Sequence, residues 1–417
     1  MPKLGLGSIA FNYSGSVIAT QATKARNALW FTFLTMGIVS MAWVPRIPEI
    51  KEANGLTDTQ FGLVLVASSV GAIFGAQLSG KAVHRFGSRT AMYFSAVFVP
   101  VGVIIMGLST TPLVLVFGLF VMGFSYSTLD VGGNAQAVAI EKHLNKRYIA
   151  SFHGMWSVGT LAVTVFGGAV AYLLTPSQNL LIIAAYGFVA FGFAATRLLP
   201  PDLDGHQGEG EQKTGSSVSW FGLAVIPLWF AGIGSAASFI AEGSAADWGA
   251  LLLRDFMDVD KGFNASAFAT FALAMILSRF LGDRWLEKWG PYLVVRVLGI
   301  VGGLVWGASI LLGVWLSDYS PLIALIVVNT GFFFAGIAIG PMFPAFILGA
   351  ANLKGVAPSV GIARVGVISI AAYFVGPTLV GVLSDQITLP WAMMYPALAL
   401  VLAGYLARSL RGLQLAS

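Results

Sequence analysis

The chain has 417 residues, 57% of them hydrophobic and only 10% charged, with a mean hydropathy of +0.82 and a formal net charge of +5. A soluble globular chain carries about 25% charged residues, so one large soluble core is excluded and a polytopic membrane protein is implied. The sequence holds no cysteine, which excludes a disulfide framework, a thiolate nucleophile and a cysteine metal site.

Residues 1–26 lack the apolar centre of a cleavable signal and are read as a cytoplasmic segment, so the first membrane helix serves as targeting signal. A bilayer-spanning helix needs about 20 mainly apolar residues. Twelve such runs follow in order, near 27–47, 60–81, 90–108, 112–140, 149–174, 179–199, 220–242, 266–285, 293–315, 321–350, 358–384 and 391–408. The intervening loops are mostly short, which makes neighbouring helices antiparallel. With the N-terminus inside, every Lys and Arg except Arg46, Lys51, Arg254 and Lys261 falls on the cytoplasmic side. That bias is the positive-inside pattern, and it points to a lipid bilayer rather than nucleic acid as the partner of the basic groups, with both termini cytoplasmic. Residues 200–219 are rich in Pro, Gly, Ser and acids and read as a flexible cytoplasmic linker. The linker divides the chain into an N-terminal six-helix half, 27–199, and a C-terminal six-helix half, 220–411. Two such halves suggest a transporter built from repeats.

The repeat is visible in two loops. The first, after the second run, contains Gly80, His84, Arg85, Gly87 and Arg89. The second, after the eighth run, contains Asp283, Glu287, Lys288 and Gly290. Aligning Gly87 on Gly290 sets Arg85 on Lys288 and His84 on Glu287. In these residues the chain resembles the major facilitator superfamily, whose loop motif runs Gly-x-x-x-Asp-Arg-x-Gly-Arg-Arg/Lys. Gly80, Arg85, Gly87 and Arg89 match, His84 stands where the family has its aspartate, and Asp283 stands where the second copy would have its leading glycine. Finer features resemble a bacterial branch near the fucose permeases: the run from Trp43 to Lys51, Leu129-Asp130-Val131 with Asn134, Ser151 to Gly154, and Glu242-Gly243 with Asp247-Trp248. The resemblance implies an all-α fold of twelve transmembrane helices in two pseudo-symmetric halves, in a bacterial inner membrane, carrying out substrate-linked transport.

Candidate site residues follow from polar groups placed inside apolar runs, where each is costly unless it faces a cavity or a partner. Ser127, Asp130 and Asn134 share one helical face, as do His153, Trp156, Ser157, Thr160 and Thr164 on the next helix. Desolvation favours the neutral form of a carboxyl group, and imidazole titrates near neutrality. Asp130 with His153 therefore reads either as a proton-coupling pair or as a structural pair near the cytoplasmic end. Glu242 reads either as an acid of the outer cavity or as an interfacial cap beside a belt residue, Trp248. Asp247 reads more as a cap. Trp43 and Arg46, at a helix end broken by Pro45 and Pro48, are either ligand contacts or packing. Asn329 precedes Gly336, Gly340-Pro341 and Pro344 in a run suited to gating. Arg279 and Asp283 are spaced to pair locally at the inner end of the eighth run.

No phosphate-binding loop and no metal-binding cluster is present in these patterns, so no ATP, cofactor or metal is expected, and no enzymatic activity. The expected function is secondary active transport of a small polar organic solute, sugar-like or related, coupled to protons by a monomer. The alternatives are proton-driven efflux of amphipathic compounds and a non-transporting membrane sensor with the same fold.

Overall fold

The computed structural model describes residues 6–146, 148–204, 226–353 and 358–411. Among them every regular element is a helix. In the N-terminal half, α1 (Leu6–Met41) leads through a 3-10 turn (Val44–Arg46) into the short α2 (Ile47–Ala53). Then come α3 (Asp58–Phe86), α4 (Ser88–Gly107), α5 (Pro112–Leu144), α6 (Ile149–Ala169) and α7 (Pro176–Ala195). The C-terminal half holds α8 (Ile226–Met257), α9 (Ser266–Trp289), α10 (Pro291–Ser317), α11 (Pro321–Ile339) and α12 (Met342–Ala351). It is completed by α13 (Pro358–Ile387), α14 (Leu389–Ala392) and α15 (Met394–Leu406).

Local chemistry sets these boundaries. Prolines open α5, α7, α10, α11 and α13, at a position whose N–H would have no partner in any case. Thr57 with Gln60, and Thr175 with Gln178, form capping boxes at the starts of α3 and α7. Gly340-Pro341 divides the tenth crossing into α11 and α12, because proline removes a helical hydrogen bond. Gly87 ends α3 and starts α4 at φ 83° and ψ 156°, and Gly290 ends α9 and starts α10 at φ 77° and ψ 151°. The two aligned loops thus share one backbone conformation, which only glycine adopts without strain.

Ten helical stretches among the described residues are long and apolar enough to cross a membrane. The crossings outside that set are α6 and α8, and with them the crossings number twelve. These two carry the polar stripe of His153 and Ser157 and the acids Glu242 and Asp247. Two of the helices that line the interior are therefore passed over by hydropathy alone. The seventh crossing was expected to end at Glu242; α8 instead continues to Met257, so Glu242 lies at mid-helix rather than near a surface. The linker expectation covers 200–219, of which 205–219 lie outside the described residues. Within 200–204, Asp204 is buried and accepts from the Ser88 N–H and Oγ at 2.7 Å each. The first linker residues are thus strapped to the N-terminal half.

The two halves are joined at one end of the bundle, which is closed. There the Asp385 carboxylate, at the end of α13, accepts from the backbone N–H groups of Asp58 (3.1 Å) and Thr59 (2.9 Å) at the start of α3. Ser384 donates to Asp58, which also pairs with Lys51. Thr378 Oγ1 donates to the Gly62 carbonyl at 2.9 Å, and Arg254 bridges to Glu52 at 3.3 Å. A Cβ on Gly381 would stand 2.5 Å from the Asp58 carbonyl oxygen, so this approach needs glycine. An aromatic plug fills the seam, with Trp43 at 6.3 Å and Trp248 at 5.4 Å from Phe61.

At the opposite, open end, His84, Arg85, Glu287 and Lys288 are exposed. Arg89 donates to the carbonyls of Ala195 and Thr196 at 3.0 and 2.9 Å, within its own half. A Cβ on Gly80 would meet nothing within 4 Å.

Candidate functional site

Between the closed end and the open end, five helices bring polar groups together at mid-depth. On α5, Asn134 Nδ2 donates to the Asp130 backbone carbonyl at 2.9 Å, beside the Asp130 carboxyl. The Asn134 Oδ1 lies 3.3 Å from His153 Nε2 on α6, and His153 interacts electrostatically with Asp130. One amide therefore joins the Asp130 turn of α5 to the imidazole of α6, two groups that the sequence placed on neighbouring faces. The His153 ring also meets Phe33 edge-on at 5.1 Å.

The second group crosses between the halves. Arg279 on α9 donates to Ser157 Oγ on α6 at 2.9 Å, and its other terminal nitrogen stands 3.9 Å from Glu242 Oε2 on α8. Arg279 was expected to pair with Asp283 at the inner end of its helix. It sits mid-way along α9 and faces the other half. The Asp283 side chain lies outside those described. Tyr126 on α5 is within electrostatic reach of both Asp130 and Glu242, and Tyr373 on α13 is within reach of Glu242, Asp247 and Tyr126. Phe239 packs edge-on against Phe343 at 5.2 Å and Tyr373 at 6.2 Å, forming an aromatic wall in the C-terminal half.

These groups border a space that water reaches. The Arg279 side chain is 38% exposed although it sits at mid-helix. His153 is exposed, and Asp130, Asn134, Trp156, Glu242, Asp247, Tyr126 and Tyr373 are half-buried. By contrast Ser157, Thr160 and Thr164 are buried. Thr164 returns its hydroxyl to the Thr160 carbonyl at 2.8 Å, so the lower part of that stripe packs rather than lines.

Other candidates lie away from the chamber. Arg46 is 1% exposed and spends its guanidinium on Glu49 at 3.1 Å and on the Leu174 carbonyl at 3.0 Å. Trp43 is buried in the aromatic plug, as is Trp248, whose Nε1 donates to the Pro377 carbonyl at 2.9 Å. The expected interfacial belt role for Trp248 is therefore replaced by a seal between the halves. Asn329 ties α11 to α9, donating to Ser266 Oγ at 3.1 Å and accepting from Thr270 at 3.2 Å. The loop residues Gly80, His84, Arg85, Gly87, Arg89, Asp283, Glu287 and Lys288 all sit at the open end.

Sequence reasoning missed Arg279, Tyr126 and Tyr373. For Arg279 a usable signal existed, since it lies too far from Gly290 to reach the headgroups, the same depth argument that singled out Asp130. The two tyrosines stand among many aromatic residues and carry no comparable signal.

A model of the Major Facilitator Superfamily matches residues 28–361. An uncharacterized transporter of Sinorhizobium fredii, y4wD, is 28% identical over 385 residues, 91% of this chain and 96% of its own. An uncharacterized transporter of the same superfamily type from Yersinia pestis is 28% identical over 383 residues, 90% of this chain and 93% of its own. A solved structure of a bacterial homolog of the human lysosomal transporter Spinster, inward-facing and unoccupied, has a TM-score of 0.70 at 15% identity. The match covers 94% of this chain and 98% of that one. The nucleoside transporter NupG has a TM-score of 0.67 at 14% identity, covering 94% of this chain and 99% of that one. At these identities the structural likeness speaks for the fold alone.

Proposed function

We propose a function from one premise: the chain belongs to the Major Facilitator Superfamily. It is a multi-pass membrane transporter with a small-molecule substrate. Our reading is secondary active transport of a small polar organic solute, sugar-like or related, driven by protons and carried out by a monomer that alternates access between its two faces. The halves are 27–199 and 220–411, joined by 200–219. The Lys and Arg asymmetry puts the open end, and both termini, in the cytoplasm of a bacterial cell, with the closed end outside the inner membrane.

One observation carries this reading: Arg279 of one half is bonded to Ser157 of the other while paired with Glu242, beside the Asp130, Asn134 and His153 group. Charges at a seam that must open and close are costly unless they can be neutralised. A proton on Glu242 removes the charge that holds Arg279. A proton on Asp130 likewise removes the charge facing His153. Either event loosens the mid-depth link and lowers the cost of passing through an occluded state. The break at Gly340-Pro341 gives the C-terminal half a place to bend during that passage.

The test is flux in proteoliposomes with an imposed pH gradient and a trapped pH dye, using solutes selected by a thermal-shift screen. Solute-evoked proton movement in the wild type, lost in Asp130→Asn and in Glu242→Gln, is the expected result. Solute flux indifferent to the gradient would overturn proton coupling. Reversing the gradient separates uptake from efflux of amphipathic compounds, the second reading, which the Phe239, Phe343 and Tyr373 wall favours.

A further inference from the structure

The chamber between the halves does not balance its charges. Glu242 has Arg279 at 3.9 Å, and Asp130 has His153 and Asn134. The remaining acid, Asp247, has no hydrogen bond or ion pair among the described residues. It lies on α8 between Glu242 and the closed end, next to Trp248 of the plug. Its neighbours Ala245, Ala246 and Trp248 are fully buried, yet Asp247 is only half-buried. The chamber therefore extends down to this carboxyl, with the plug as its floor.

One aromatic side chain is recorded near Asp247, and it belongs to a larger aromatic wall. Tyr373 is within electrostatic reach of Asp247, and Phe239 links Tyr373 to Phe343 through edge-on contacts at 6.2 and 5.2 Å. A lone carboxylate held this deep is destabilising until a partner arrives. The face of the Tyr373 ring attracts a cation through its quadrupole, which adds to the pull of the carboxylate.

We propose that Asp247 is the substrate anchor of the chamber and that it takes a protonated amine, with Tyr373 beside it and the Phe239 ring behind Tyr373. The amine donates charge-assisted hydrogen bonds to the carboxylate, and the rest of the polar solute faces the Arg279 and Asn134 side of the chamber. This rests on the reading of the chain as a transporter with its site between the halves. It adds a charge to the solute class, and it moves Asp247 from a helix cap to a specificity determinant.

The experiment is thermal melting of the purified full chain with matched probes that differ only in charge. One set is glucosamine, glucose and glucuronate; a second is ethanolamine, ethylene glycol and glycolate. An amine member should raise the Tm above its neutral and anionic counterparts. Asp247→Asn should weaken that effect about tenfold or more, the loss expected for one charge-assisted bond. The same variant without probe should melt at or above the wild type, because it removes an uncompensated charge. The surface variant Asp318→Asn should behave as wild type. Equal stabilisation by the neutral or anionic probes, no shift from either amine, or an amine shift that survives Asp247→Asn would each overturn the proposal. So would a probe-free melt of Asp247→Asn well below wild type, which would make the carboxyl structural. Intact binding with lost uphill flux in Asp247→Asn would assign it to proton transfer and overturn the anchor role. Because the melting assay has no gradient, failure of proton coupling leaves its outcome unchanged, and its own failure leaves coupling by Asp130 and Glu242 standing.

Discussion

Gly87 and Gly290 turn the chain in the same way at one end of the bundle, yet nothing there reaches across from His84, Arg85 or Lys288 to the other half among the described contacts. At the other end Asp385 caps the first N–H groups of α3, Asp58 meets Ser384 and Lys51, and Trp43, Phe61 and Trp248 fill the seam. The open end has repeat symmetry without engagement; the closed end has engagement built from residues that the repeat does not mirror. An exposed charge at a helix N-terminus contributes about 0.3–1 kcal/mol. The latch is thus a set of small terms around a tight glycine approach, strong enough to bias one state and weak enough to release. Charged residues fixed deep in both halves would be harder to part; the ion pair described at mid-depth beside the seam is that of Arg279 with Glu242.

The largest effect is expected where the ends meet in the middle. Arg279→Ala leaves Glu242 without its cation and removes the bond to Ser157. It should abolish transport and lower stability by about 2–3 kcal/mol, less than a dry buried pair would cost because water reaches the chamber. Adding Glu242→Gln should recover most of that stability in a thermal melt without recovering transport. A melt that Glu242→Gln does not improve would separate the two residues.

Next is the close approach at the closed end. Gly381→Val puts side-chain atoms where a Cβ alone would stand 2.5 Å from the Asp58 carbonyl. Overpacking of this kind costs about 1–3 kcal/mol, so the accessibility of a single cysteine introduced at the closed end should rise severalfold. Asp385→Asn keeps the shape and halves the electrostatics. It should shift the closed-to-open ratio at that end by about two- to fivefold, corresponding to the helix-terminus contribution. His84→Asp restores the acid of the resembled motif at the open end and should produce the smallest change, about 0.3–0.5 kcal/mol toward closure there. Site-directed spin labels across the open end would read it as a modest gain in short distances.

Much of this comparison was legible in the sequence. The twelve crossings, the six-and-six division and the matching of Gly87 with Gly290 all followed from apolar runs and turn chemistry. Asp130, Asn134 and His153 came from helical spacing, because polar residues on one face of an apolar helix must share an environment. Glu242 was placed at the wrong depth because Glu242-Gly243-Ser244 reads as a helix end. The small residues after it in fact let α8 pack closely and continue to Met257. Arg279 drew attention only for an acid four residues away, Asp283, whose side chain lies outside those described; its long side chain also reaches across the seam. Arg46 and Trp43 drew attention as polar and aromatic groups at a broken helix, but tertiary packing buries both. The Asp385 latch joins residues more than three hundred positions apart, and no local pattern announces it.

Alternating access requires the two ends to move oppositely about the Arg279 cluster. The chain has no cysteine, so spin labels can be introduced in pairs without removing any. One pair would span the closed end at Thr111 and Tyr319, and the other the open end at Lys142 and Lys288. Distances from both pairs would be recorded in membranes, for the wild type and for Asp385→Asn. The predicted result is that the closed-end distance lengthens and the open-end distance shortens in the same fraction of molecules. Lengthening at the closed end with no change at the open end would contradict it.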